Sequence, residues 1–89
     1  MTDKILKFTS IWCKKSDELN LTINKVKLYN IQIIDVDVES SPDICNKYNI
    51  FSTPVMVFLR NDEELLQRLY GVHQEQEIQR WVNQANPYK

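Results

Sequence analysis

Two stretches with helical character, each set between short strand-like apolar runs, constrain this chain more than any other feature. Lys4–Thr9 (KILKFT) reads as a buried strand rich in Ile, Leu and Phe. Leu19, Ile23 and Val26 then recur at helical spacing within a segment from Lys14 to about Tyr29, with Lys25 and Lys27 toward its C-terminal end. Ile31–Val38 (IQIIDVDV) is β-branched and nearly all apolar on one parity, which fits a strand in a covered sheet. Ser41-Pro42-Asp43 predicts a helix start, with Ser41 as N-cap and Pro42 at the first helical position, and the helix runs to about Tyr48. Val55–Leu59 is the third strand, Arg60-Asn61-Asp62-Glu63 a polar turn, and Glu64–Tyr70 an antiparallel return. Gly71, the only glycine, ends that strand before a last helix carrying Ile78, Trp81, Val82 and Ala85 on one face. The order βαβαββα predicts an α/β fold: a four-stranded mixed sheet with helices on both faces, its first two crossovers joining parallel strands.

Eighty-nine residues, 43% of them hydrophobic, suffice for one small domain over 1–89 with one core. A net charge of −1 with interspersed signs leaves no electrostatic footprint for nucleic acid or an anionic membrane. No apolar run approaches a bilayer span. The start of the chain carries no signal-type apolar stretch, so the expected setting is the cytoplasm, or the host cytoplasm for a viral chain. Two cysteines, Cys13 and Cys45, have no Cys or His at ligand spacing, and His73 is the only histidine. Neither a zinc site nor, in a reducing compartment, a structural disulfide is expected.

Cys13 stands in Trp12-Cys13-Lys14-Lys15-Ser16, where the first strand hands over to a helix. A thiol there meets unpaired backbone N–H groups at the positive end of the helix dipole, and Lys14 and Lys15 add charge, so the thiolate is favoured. Thr53-Pro54 follows forty-one residues later, before the third strand, and a proline cannot donate to a sheet ladder. Trp-Cys-x-x-Ser after strand one, Tyr48-x-Ile50-x-x-Thr53-Pro54 before strand three and Gly71 before the last helix, in that order, resemble the thioredoxin superfamily over essentially the whole chain.

That resemblance implies a compact thioredoxin fold, without the N-terminal strand and helix of larger members, and a monomeric thiol–disulfide oxidoreductase. Cys13 is then the nucleophile and Ser16 occupies the place of the second cysteine, its hydroxyl able to donate to the sulfur. Trp12, Lys14, Lys15, Thr53 and Pro54 form the substrate surface, with the Thr53–Pro54 peptide cis and facing the thiol. Implied partners are protein disulfides and a reductant, either thioredoxin-reductase-like or a low-molecular-weight thiol; no cofactor is implied. Three departures stand out. Ser16 replaces the second Cys, Lys7 stands where many members have a buried Asp, and Leu21 replaces a helix-kinking proline. The serine fits either a native monothiol or a Cys→Ser replacement in a dithiol motif. Monothiol exchange with small thiols and a non-catalytic binding module remain alternatives. Cys45, in company with Ile44 and Tyr48, reads as a buried core filler, Trp81 as core, and His73 as a surface residue at a helix start.

Overall fold

β1 (Asp3–Thr9) is the strand on which the rest is hung. One side pairs in parallel with β2 (Ile31–Asp37), from Asp3↔Ile31 to Thr9↔Asp37. The other pairs antiparallel with β3 (Val55–Arg60), from Phe8↔Val55 to Asp3↔Arg60. The computed structural model describes residues 3–85. Its helices are α1 (Lys14–Ile23), α2 (Pro42–Lys47) and α3 (Glu75–Asn83), none of them long and apolar enough to cross a membrane.

The antiparallel course of β3 corrects the expectation that both crossovers join parallel strands. The six residues of α2 advance the chain only about 9 Å, too little to carry it back along the sheet. The connection instead crosses the end of β1 at which β2 stops. β3 therefore starts at that same end and runs the opposite way. Two further boundaries differ. α1 stops at Ile23 rather than near Tyr29, because Lys25 and Val26 donate to the Thr22 and Ile23 carbonyls in three-residue turns that tighten the chain. Val26 still reaches the core from that turn.

The return strand is split into β4 (Glu63–Glu64) and β5 (Leu69–Tyr70), both antiparallel to β3 along one edge. Glu64 faces Leu59 and Leu69 faces Met56, so two surplus residues bulge out between the pieces. The β3–β4 turn is two residues long, with Asn61 (φ 52°) and Asp62 (φ 67°) both left-handed, the geometry that suits the twist of a tight hairpin.

Each face of the sheet carries its own core. Ile5, Met56 and Phe58 meet Leu19 and Ile23 of α1 and Ile78, Trp81 and Val82 of α3. Phe58 and Trp81 pack edge to face at 5.7 Å, and the Trp81 indole N–H donates to the Gln67 carbonyl at 2.6 Å. On the opposite face Leu6, Phe8, Val36, Val55, Val57 and Leu59 are covered by Cys45, Tyr48 and Ile50. Cys45 is half-buried there, not fully enclosed as expected, because α2 buries none of its residues completely. At the far end of the sheet, Arg60 donates through Nε and Nη2 to the Asp3 carboxylate (2.8 and 2.9 Å) and through Nη2 to the Ala85 carbonyl (2.7 Å). The guanidinium holds the Asp3 carboxyl below its usual range.

Phe58→Ala is expected to cost about 3–5 kcal/mol, the range for emptying a buried aromatic site, measured as a lowered urea midpoint at unchanged slope. The Asp3 contribution has a definite sign. Its folded pKa lies below the unfolded one, so the stabilisation is present above the ordinary carboxylate range and disappears as pH falls through the folded value. Asp3→Asn should accordingly melt below the parent at neutral pH, with the two melting temperatures converging in acid.

Candidate active site

β1 ends at Thr9, and the next four residues turn the chain into α1 through short hydrogen-bonded steps. The Cys13 N–H donates to the Ser10 carbonyl (3.1 Å), and the Ser16 N–H donates to the Cys13 carbonyl (3.0 Å). Cys13 is the N-cap of α1, with an extended backbone (φ −108°, ψ 111°), so its thiol lies at the start of the helix. The Ser10 hydroxyl accepts from the Trp12 N–H at 3.2 Å, and the Ser10 N–H donates to Ser16 Oγ at 3.2 Å. Ser16 itself is 2% exposed.

The second wall comes from the segment ahead of β3. Thr53–Pro54 is a cis peptide. The Thr53 carbonyl lies 3.7 Å from Cys13 Sγ, so residues forty apart in the chain touch. Pro54 is buried, and its carbonyl accepts from the Gly71 N–H at 2.8 Å, which ties the β5–α3 turn to the same place. Gly71 has φ +82° with open space where a Cβ would stand. Glycine is therefore needed for its backbone conformation and not for room.

The environment lowers the Cys13 pKa from that of a free thiol. The Thr53 side chain is the largest cause, followed by the Ser16 hydroxyl and the Ser16 amide; partial burial opposes them, and the Lys15 amide adds a smaller lowering. The Thr53 carbonyl is the acceptor for the thiol in its protonated form. The sources differ from the sequence reading in one respect. The helix-start amides contribute, but the exposed ammonium groups of Lys14 and Lys15 are not among the causes.

Cys13, Ser16, Thr53 and Pro54 are thus gathered at one point. Trp12 projects beside them at 80% exposure, with Lys14 and Lys15 on the outer surface of α1. Three residues were not singled out from the sequence. Ser10 is buried and bonded three times into the loop; Ile11 and Phe51 (91% exposed) extend the apolar rim around Trp12 and Thr53. Nothing in composition marks them, although Ile11 and Phe51 adjoin the two motifs in sequence. Tyr70 and Val72, on either side of Gly71, are also exposed.

Lys7 is 6% exposed on the α1 face of β1, and its ammonium meets the Asp35 carboxylate at 2.8 Å. Its cross-strand partner is Asp35 in β2, so the charge is matched within the sheet. His73 contacts the Tyr70 carbonyl and Glu77 instead of the thiol. Both cysteines are free, and no group of three or more His, Cys, Asp or Glu among the described residues is placed to hold a metal.

A cysteine at a strand-to-helix junction, facing a Thr-Pro segment that leads into an antiparallel strand, defines an α/β thiol fold of the thioredoxin type. The thioredoxin family model matches residues 1–84, and the chain belongs to that family. It is 30% identical over 74 residues to thioredoxin H5 of Oryza sativa subsp. japonica, covering 80% of this chain and 54% of the rice protein. It is 27% identical to thioredoxin 3 of Plasmodium falciparum, over 79% of this chain and 41% of that one. The chain thus spans about half the length of these relatives. Among solved structures, a malaria-parasite thioredoxin-2 superposes with a TM-score of 0.84 at 20% identity, covering 93% of this chain and 82% of the other. A chloroplastic thioredoxin z superposes with a TM-score of 0.78 at 25% identity, covering 93% and 77%.

Thr53→Val removes the hydroxyl while keeping the shape, so the Cys13 pKa should rise toward the free-thiol value. The pH dependence of iodoacetamide alkylation at Cys13, resolved by peptide mass, reads this directly; an unchanged profile would assign the shift elsewhere.

Proposed function

We propose that this chain exchanges disulfides in protein substrates through the Cys13 thiolate, and that in the present form the reaction halts at the mixed disulfide. The observation that carries the reading is a thiol at the N-cap of α1 held 3.7 Å from the Thr53 carbonyl of the cis Thr53–Pro54 segment, in surroundings that lower its pKa. The thiolate attacks one sulfur of the substrate disulfide. A Cys13–substrate S–S bond forms as the substrate S–S bond breaks, and the other substrate sulfur departs as a thiolate. In a dithiol site a second cysteine would then attack intramolecularly, at an effective concentration far above that of dissolved thiols. Ser16 stands at that place, and its hydroxyl is far too weakly acidic to do the same. Resolution therefore falls to an external thiol, supplied by a thioredoxin-reductase-like protein or a low-molecular-weight thiol.

Substrate contacts are assigned to Trp12, Lys14, Lys15, Thr53 and Pro54, with Ile11 and Phe51 widening the apolar rim. The Thr53 backbone offers an edge on which an extended substrate segment can pair beside the sulfur. The reading places the protein as a monomer in a reducing cytoplasm, where a single accessible thiol stays available for exchange.

The test compares the parent with Ser16→Cys. Insulin reduction by dithiothreitol should be slow for the parent and faster for Ser16→Cys, and the parent incubated with a disulfide substrate should carry a dithiothreitol-sensitive adduct on Cys13 by intact mass. No gain from Ser16→Cys together with no adduct would replace this reading with that of a binding module.

A further inference from the structure

We infer that Lys14 and Lys15 select substrates by charge, so that Cys13 reacts preferentially with disulfides carrying carboxylate groups beside the reacting sulfur, as in an acidic peptide segment; this rests on the exchange reading above for its functional meaning. Neither side chain serves the fold. Lys14 and Lys15 fill the first two positions of α1 and both are exposed, so they bury nothing in a core. A cation in the first turn runs against the helix dipole, which favours negative charge at that end. Asp17 and Glu18 stand three and four residues after Lys14, but lysine ahead of the acid is the weaker order for such a pair. Among the described residues neither ammonium group forms an ion pair. Two cations thus occupy a place that local preference disfavours, with no carboxylate of the fold to hold them there.

Their place beside the nucleophile gives them a use. Lys14 follows Cys13 directly, about 3.8 Å away between Cα atoms. Asp17 and Glu18 lie roughly 5 Å further along the helix axis, away from the thiol at its start. The exposed side chains on the other side of the sulfur, Ile11, Trp12 and Phe51, are uncharged. At the same end of the sheet the Asp37 carboxylate is taken up by the Glu39 N–H and the Ser40 hydroxyl. A disulfide approaching Cys13 therefore brings its flanking groups against two unneutralised ammonium groups. Carboxylates there are attracted and lysines repelled, while an apolar neighbour finds the rim around Trp12. In the step itself the Cys13 thiolate bonds to one substrate sulfur, the substrate S–S bond breaks, and its electron pair leaves with the other sulfur as a thiolate.

The probes are two symmetrical peptide disulfides, identical except for glutamate or lysine on both sides of the cysteine. Attack by Cys13 leaves one peptide on the protein and releases one peptide thiolate. Intact mass follows the adduct, and peptide mass assigns it to Cys13. Uncharged mercaptoethanol supplies the intrinsic rate ratio of the two peptides. Relative to that ratio the parent should favour the acidic peptide by about tenfold at low salt, and high salt should erase the preference. Lys14→Gln with Lys15→Gln should bring the ratio to that of mercaptoethanol, while Asp17→Asn should not lower it. A parent ratio equal to that of mercaptoethanol, or a preference that survives in the double variant, overturns the inference. Alkylation makes the same comparison without a disulfide. Anionic iodoacetate should be favoured over neutral iodoacetamide at Cys13, relative to mercaptoethanol, and the double variant should lose that advantage. Peptide adducts without charge preference would remove the selection and leave exchange standing. An iodoacetate preference with no peptide adduct would remove exchange and leave the selection at the thiol.

Discussion

The pairing of β1 with β3 in opposite directions is the constraint on which the site depends. Phe8↔Val55 is the last rung of that ladder, and both chains leave it at the same end of the sheet, one toward Cys13 and the other back toward Pro54. Had β3 run parallel to β1, the Thr-Pro segment would lie a strand length away, roughly 20 Å for six residues. Two cores hold the ladder flat against slippage. Met56 and Phe58 face α1 and α3, while Val55, Val57 and Leu59 face the α2 side, so a shift of one residue would exchange every buried side chain between faces.

The chemistry at that end rests on directed donors more than on net charge. Lysine ammonium groups on an exposed helix surface are screened by solvent and ions, whereas an amide or a buried hydroxyl with one available direction is not. That difference accounts for Thr53 and Ser16 standing first among the causes of the lowered Cys13 pKa while Lys14 and Lys15, the more conspicuous residues in the sequence, are not among them. Lys7 follows the same logic from the opposite side. Its buried ammonium is matched by Asp35 on the adjacent strand, and the aliphatic stem fills space beside α1 while the charge reaches the sheet edge.

Much of this was legible in the sequence, and the omissions have physical causes. Apolar runs located β1, β2 and β3 to within a residue or so, because burial imposes period and composition on a strand. Direction leaves no such trace, and only the shortness of α2 hinted that β3 turns back. Val26 prolonged the helical period past Ile23 because a core contact is satisfied equally from a tight turn. The bulge between Glu64 and Leu69 was invisible for a similar reason, since edge residues outside the ladder register carry no distinct pattern. Cys13, Ser16, Thr53 and Pro54 could be read because each is chemically unusual at its place. Ser10 could not, since a serine after a strand is commonplace until its three bonds are seen.

Arg60 joins the first described residue of β1 to the carbonyl of Ala85, so both ends of the described chain meet at one guanidinium. Asp3 and Thr9 lie at opposite ends of β1, which puts this junction at the pole of the molecule away from Cys13. A substitution at Asp3, Arg60 or Ala85 would therefore perturb the closure of the sheet from behind, with the thiol facing the opposite way.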